Sequence, residues 1–421
     1  MSIISKLKNN KQLVSNFSYM FIIEMSNYIL PLISIPYIVR VVGIEKFGII
    51  SFSYVLVSYF SILVDYGFKL ISTRDISIIR NSKQKVNVYF WKMYISQLLL
   101  LCFGIMIFTV VLQLPQLKEH QDIFIFAFGM VLGHFLYPTW FFQGIENMKF
   151  IAIMNFIGRI SYLIMIFLFI KNADDYIYVP LYNGLSFILI GTISLIYINK
   201  KFNLKFKMTK VRYLKSYFKK GWHLFTSNIA NSLSTNLNIL LLGSISGYTA
   251  VGVYSIADKL FGAISNILRI VNTVSFPYLA KLKLNRIELI IKTRYMIIFS
   301  TILSSIVGLL LFLFSENILL LVFNITNENS ILVLKLLSIV LFLRPLVELS
   351  GQFVIIKNQT QVIQNITFKS MIFNIIFVIP MIYFYDSIGL AITIIIVAIF
   401  QLFLYFDYIK EIFNYKRLNN I

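Results

Sequence analysis

Long apolar runs alternate with short polar breaks along the whole chain. A bilayer span needs about 20 mostly apolar residues. Twelve runs come near that length: 14–39, 49–70, 88–113, 122–144, 151–170, 178–198, 222–246, 250–279, 295–322, 331–356, 370–385 and 387–409. The runs are continuous, without the period-two alternation of a barrel strand, so they predict helices. The expected fold class is all-α, a polytopic integral membrane protein with twelve transmembrane helices. The longest polar stretch, 199–222, holds nine basic residues and no acid. It separates six runs from six. The predicted organisation is an N-terminal lobe (1–198), a basic cytoplasmic linker (199–221) and a C-terminal lobe (222–421).

The two halves echo each other. Gly43, Gly48 and Ser51 lead into run 2, and Gly247, Gly252 and Ser255 lead into run 8, at an offset of 204. Asn27 falls on Asn231 at the same offset. Phe135, Leu136 and Pro138, with Gly144 six further on, match Phe342, Leu343 and Pro345, with Gly351 six further on, at offset 207. Parallel repeats of this kind build transporters whose substrate sits near the repeat interface. Two pseudo-symmetric six-helix lobes are expected. Seven of the eight prolines fall inside runs, where they kink helices that neighbours or a polar cavity can still satisfy.

Composition sharpens the picture. Hydrophobic residues make up 58% and charged residues 13%, against about 25% charged in soluble chains. The net charge of +21 would suit nucleic acid, but its placement speaks for topology. With the N-terminus inside, 27 of the 38 Lys and Arg fall on the inner side, and only Arg40, Lys46, Lys118 and Lys171 on the outer. That is the positive-inside pattern, with anionic lipid as the partner and no nucleic acid. The basic lead (Lys6, Lys8, Lys11) precedes a run too long for a signal peptide, so it is expected to stay as the first span, with both termini cytoplasmic. Cys102 stands alone, three histidines give no metal-ligand spacing, and no Gly-rich phosphate loop is present. No cofactor or metal is expected.

Eleven charges within the runs nevertheless stand out. Each costs roughly 2.5–3.5 kcal/mol at a bilayer centre. Lys69, Lys92 and Lys335 lie near run ends and can snorkel. Eight remain: Glu24, Asp65, Asp258 and Glu348 against Arg159, Lys259, Arg269 and Arg344. Arg344 and Glu348 are one helical turn apart and can neutralise each other. Asp65 and Lys69 share that spacing. Polar stripes accompany these charges: Ser51, Tyr54, Ser58, Ser61 and Asp65 in run 2, and Asn228, Asn231, Thr235 and Asn238 in run 7. Such stripes either tie helices together or face a shared polar cavity. A cavity with arginines suits an anionic cargo, because the guanidinium fork matches phosphate oxygens.

The block Asn27, Pro31, Pro36, Tyr37, Arg40, Gly43, Phe47 and Gly48 continues through Tyr59 and Phe60, Asp65 to Phe68, and Arg74 and Asp75, to Tyr137, Trp140, Gln143, Gly144 and Glu146. It resembles the Wzx-type polysaccharide flippases of the multidrug/oligosaccharidyl-lipid/polysaccharide exporter superfamily. The resemblance implies a non-enzymatic transporter of the bacterial inner membrane. Its cargo would be an undecaprenyl-pyrophosphate-linked oligosaccharide for O-antigen, lipopolysaccharide or capsule. A polysaccharide polymerase and a chain-length regulator are its implied partners. Spans 1, 2, 7 and 8 line the cavity in such folds. The candidate substrate-binding residues are Arg159, Lys259, Arg269, Arg344, Asn27 and Asn231. The candidate ion-coupling residues are Glu24, Asp65, Asp258 and Glu348. Alternating access driven by proton or sodium entry is the expected mechanism.

Two rivals differ in cargo or class. A drug exporter of the same superfamily predicts a more acidic and aromatic cavity than four cations allow. A membrane polymerase or glycosyltransferase needs a sizeable outer loop, whereas the outer loops here are short, with Asp174 and Asp175 as their one acidic pair.

Overall fold

The computed structural model describes residues 11–206 and 211–413, which are helical with no strand among them. Two compact units divide the chain, Met1–Leu237 and Asn238–Ile421. The first contains α1 (Lys11–Asp65), α2 (Phe68–Ile79), α3 (Lys83–Val111), α4 (Pro115–Lys118), α5 (Gln121–Leu136), α6 (Thr139–Gly144), α7 (Met148–Phe169) and α8 (Tyr178–Phe202). Helix α9 (Val211–Lys281) gives its first arm to this unit and the rest to the second. The second unit adds α10 (Arg286–Leu313), α11 (Ser315–Phe323), α12 (Glu328–Ile356), α13 (Thr360–Leu404) and α14 (Phe406–Phe413).

Nine helical segments among the described residues are long and apolar enough to cross a membrane, and the chain is a multi-pass membrane protein. Three of the nine run for 44 to 50 residues, about twice what one crossing needs. Each contains a non-helical residue: Gly43 (φ 82°, ψ 174°), Gly247 (φ 83°, ψ 178°) and Asp386 (φ 48°, ψ −128°). These breaks fall between runs 1 and 2, 7 and 8, and 11 and 12. Gly43 and Gly247 share one backbone conformation, which only glycine adopts without strain. A Cβ at either would meet nothing within 4 Å. Backbone freedom, not space, therefore explains the repeated glycine.

Run 4, expected as one element over 122–144, is divided. Helix α5 stops at Leu136 and α6 starts at Thr139. Tyr137 leaves helical geometry (φ −104°, ψ 83°), as a residue before proline tends to do. Its hydroxyl donates to the Ile151 carbonyl at 3.4 Å, and the Trp140 indole donates to Gln97 at 3.2 Å. The matching Pro345 lies inside an unbroken α12, and Pro31, Pro36, Pro277 and Pro380 are likewise held within helices.

One corner of the first unit is set by Asp65 to Phe68. Helix α1 ends at Asp65, Tyr66 and Gly67 take positive φ (47° and 74°), and α2 begins. A Cβ on Gly67 would lie 2.5 Å from that of Leu224, so the first arm of α9 packs directly on this corner. Tyr66 stacks on Phe225 at 4.5 Å and meets Phe218 edge-on. Beneath it lies an aromatic core of Phe68, Phe90, Trp140, Phe141 and Phe142. In the second unit Leu289, Ile297, Leu349, Phe353 and Ile412 form the core. Glu411 of α14 bridges Arg286 at 3.0 Å and Lys357 at 2.7 Å.

Candidate functional site

Seven helices of the first unit, with the α5–α6 corner, leave between them a cavity of about 550 Å³. The last turn of α1 supplies Ser61 and Asp65, α2 supplies Lys69, α3 Gln97, α5 His134, the corner Tyr137 and Thr139, α6 Gln143 and α7 Asn155. Local structure explains the placement. The Asp65 carboxylate accepts the backbone N–H groups of Gly67 and Lys69, which caps the start of α2. That cap fixes where Lys69 emerges. His134 is surrounded by protein, but its ring is open to the cavity, lying 4.7 Å from Phe187. Gln97 is buried and held by Trp140. Arg159 follows Asn155 by one turn of α7, half-buried, within electrostatic reach of His134, Tyr54 and Tyr162.

The second unit arranges its charges differently. Along α9, Asp258, Ser265 and Asn272 recur every seven residues. Along α12, Arg344, Glu348 and Gln352 recur every four. The two series mesh. Arg344 pairs with Glu348 at 3.1 Å, donates to the Ser265 hydroxyl and lies over the Phe261 ring at 5.7 Å. Asn272 donates to Glu348 at 2.8 Å and accepts from Ser300 of α10 at 2.6 Å. Gln352 donates to the Asn272 carbonyl at 3.1 Å. Asp258 accepts from Tyr254 at 3.5 Å and feels the charges of Lys259 and Arg344.

Of the residues expected from sequence, the structure brings Arg344, Glu348 and Asp258 into one network and places Asp65 on the cavity. Lys259, Arg269 and Asn231 are exposed. The side chains of Glu24 and Asn27 lie outside the described residues. Lys69, set aside as a snorkelling lysine, lines the cavity instead. His134, Gln97 and Asn155 were missed, as were Ser265, Asn272 and Ser300. An imidazole in the middle of the apolar run 122–144 was the available signal for the first. The outer acidic pair is structural. Asp174 bridges Lys46 at 2.6 Å, and Asp175 accepts the backbone N–H groups of Lys171 and Asn172.

A family model described as "Polysaccharide biosynthesis protein" matches residues 13–283, more than half of the chain and all of the cavity. The chain belongs to this polysaccharide biosynthesis protein family. A relative from Escherichia coli (strain K12) is 26% identical over 388 residues, covering 91% of this chain and 94% of its own length. One from Shigella dysenteriae is 28% identical over 270 residues, covering 64% and 67%. Both carry the name "Putative O-antigen transporter". Among solved structures, the lipid II flippase MurJ in an inward closed conformation superposes with a TM-score of 0.72 at 16% identity, over 94% of this chain and 87% of its own. An inward-facing multidrug resistance MATE transporter of the MOP superfamily does so at 0.66 and 13%, over 96% and 99%. At such identities the likeness concerns the fold. This member of the polysaccharide biosynthesis family has the multi-span helical architecture of MOP-superfamily transporters.

Proposed function

We propose that the protein is a flippase that carries an undecaprenyl-pyrophosphate-linked oligosaccharide from the cytoplasmic to the outer leaflet of the bacterial inner membrane. The observation that carries this reading is the polar cavity walled by Asp65, Lys69, Gln97, His134 and Asn155 inside an otherwise apolar helical unit. Such groups are costly within a membrane and persist where a polar cargo meets them. The near full-length likeness to the O-antigen transporter homologue of Escherichia coli supports the same cargo class. On this reading each helix broken at Gly43, Gly247 and Asp386 crosses twice, for twelve spans in all with both termini cytoplasmic.

The cargo splits physically. Its diphosphate and sugars need polar walls, while the polyprenyl tail stays in lipid. Alternating access moves the polar head, and entry of a proton or sodium ion at Asp65 or Asp258 drives the exchange. Arg159, Lys259, Arg269, Asn27 and Asn231 contact the head, and Glu24 joins the coupling acids; Arg344 and Glu348, expected in those two roles from sequence, are engaged with each other, Ser265 and Asn272. A polysaccharide polymerase and a chain-length regulator receive the product.

Deletion of the gene tests the reading directly. Lipid-linked repeat units should accumulate on the cytoplasmic leaflet, and normal crossing would overturn it. Coupling is tested separately in vesicles by following a fluorescent lipid-linked sugar with the ion gradients collapsed. An unchanged rate would remove the ion from the mechanism and leave the cargo standing.

A further inference from the structure

Helix α3 changes character along its length. From Met93 to Val111 it carries no charge, and its large exposed side chains there, among them Leu98, Phe103, Met106 and Val110, are apolar. That stretch rises about 28 Å, close to the thickness of a hydrocarbon core. The turns before Met93 therefore stand at the level of lipid headgroups. There, at the corner between α2 and α3, the surface opens into a groove of about 650 Å³ lined by Gln84, Lys85, Asn87, Tyr89 and Lys92. Trp91 and Tyr94 stand on the same stretch of helix, and Trp91 meets Phe206 edge-on at 5.0 Å. Aromatic rings gather in this way at a membrane boundary. The charge at the corner is one-sided. Asp75 pairs with Arg74 at 2.8 Å and accepts from the Tyr89 hydroxyl at 3.1 Å, and Glu146 pairs with Arg80 at 2.5 Å. Each of these two carboxylates thus has its own arginine. The side chains of Lys83, Gln84, Lys85 and Asn87 make no hydrogen bond or ion pair among the described residues, and the Asn87 oxygen is buried without a donor. A buried acceptor left unmatched costs free energy, which a hydroxyl reaching into the groove would recover after a small turn of the amide.

We propose that this groove holds the head of an anionic glycerophospholipid, phosphatidylglycerol, with its acyl chains along the apolar face of α3. Lys85 and Lys92 meet the phosphate, because charge-assisted bonds are the strong ones, and Lys83 adds to the field. Asn87 and Gln84 take the glycerol hydroxyls, since a carboxamide both donates and accepts. A basic pocket at headgroup depth is suited to such heads. The lipid is a resident of the bilayer and not the cargo. The groove shares no lining residue with the polar cavity, so the inference stands apart from the flippase reading. It also differs from the general pull of a basic protein on anionic lipid, because it names one head chemistry and one place.

Full-length protein in detergent is titrated with phosphatidylglycerol, phosphatidate and phosphatidylcholine of matched acyl chains, and bound lipid is counted by native mass spectrometry. The expected result is one phosphatidylglycerol bound ahead of the other two. Phosphatidate carries more charge and no glycerol hydroxyl, so attraction by charge alone would rank it first and overturn the proposal. Lys83→Gln with Lys85→Gln should weaken binding by about fivefold per lysine, about twenty-five-fold for the pair. The melting temperature should not move, because both side chains are exposed. Lys200→Gln makes the same change of charge at an exposed site outside the groove and should leave binding unchanged; a loss equal to that of Lys85→Gln overturns the site. Asn87→Ala should erase the preference over phosphatidate. If that variant melts early, Gln84→Ala, at an exposed position, is read in its place. A preference that survives in both overturns the assigned head. Displacement of the lipid by glycerol 3-phosphate in solution would make the groove a site for a soluble phosphate, and one-for-one displacement by undecaprenyl pyrophosphate would make it a cargo site. Either result overturns the proposal.

Discussion

The two units handle buried polarity in opposite ways. In the first, the side chains of Lys69, His134 and Asn155 line a cavity and make no hydrogen bond among the described residues, Lys69 standing beside Asp65. In the second, Arg344, Glu348, Asn272, Ser265 and Ser300 satisfy one another across three helices. Similar residue types, placed in related halves of one chain, therefore serve different ends. A polar group with its partners built in holds helices together, whereas one lacking them is available to a ligand. Charge content alone does not distinguish these cases.

The sharpest way to break this contrast is to remove Glu348. Glu348→Ala strips Arg344 and Asn272 of their shared acceptor. Losing one partner of a buried pair costs about 3–5 kcal/mol, and less here, about 2–3, because Arg344 remains 36% exposed. A lower melting temperature in detergent and poor expression are expected. Arg344→Leu with Glu348→Leu should recover part of the loss, since two apolar groups leave no orphan. Lys69→Gln should leave the melting temperature within error. If Lys69→Gln destabilises and Glu348→Ala does not, the assignment of ladder and cavity is reversed.

A second comparison concerns the repeat itself. Gly43 and Gly247 share φ, ψ and open surroundings. Gly43→Ala and Gly247→Ala should each cost about 1–3 kcal/mol, the strain of a side chain in a glycine-only region. The two losses should be similar, and the double variant should lose their sum within about 0.5 kcal/mol if the sites are independent. Thermal unfolding of both variants and their double reads this directly. A loss at one site alone would mean that the duplicated glycine no longer serves one purpose.

Much of this was legible in the sequence, for stated reasons. Run length and continuity gave the helices, and the offset of 204 gave the paired breaks, because a glycine-only conformation leaves a glycine wherever it recurs. The related pair at Pro138 and Pro345 was misleading. Both follow a Phe-Leu-x pattern, yet only Pro138 breaks its helix. Arg344 and Glu348 explain the difference: their one-turn pairing exists only if the helix continues through Pro345. Tyr137 and Trp140 have partners elsewhere in the first unit that reward leaving the helix. Spacing set Asp65 and Lys69 one helical turn apart, but α1 ends at Asp65 and the chain turns at Tyr66 and Gly67 before α2. Spacing could not show the cavity, since Gln97, His134 and Asn155 come from three helices whose register is set by tertiary packing.

The cap at Asp65 gives a finer test of the difference between holding and binding. Asp65→Asn keeps an acceptor for the N–H groups of Gly67 and Lys69 and removes the charge. Asp65→Ala removes both. Loss of a helix cap costs about 1 kcal/mol, so Ala should lower the melting temperature and Asn should barely move it. If Asp65 also takes up the coupling ion, Asn should retain stability and lose gradient-driven flux. Equal flux for Asn and wild type would confine Asp65 to the cap.

The smallest effect is expected at Glu411, in α14 of the second unit. Burial opposes its charge, but the hydrogen bonds from Lys357 and Arg286 outweigh it and hold the carboxyl below its usual range. A carboxylate with a lowered folded pKa stabilises the fold above its unfolded value, about 4.3. That contribution fades as pH falls through the folded value. Partly open ion pairs are worth about 1 kcal/mol at most. Glu411→Gln should therefore lower the melting temperature slightly at neutral pH, with the gap from wild type closing below about pH 4. A gap that persists unchanged in acid would assign Glu411 a packing role, and would make the clamp between α14, Arg286 and Lys357 a matter of shape and not of charge.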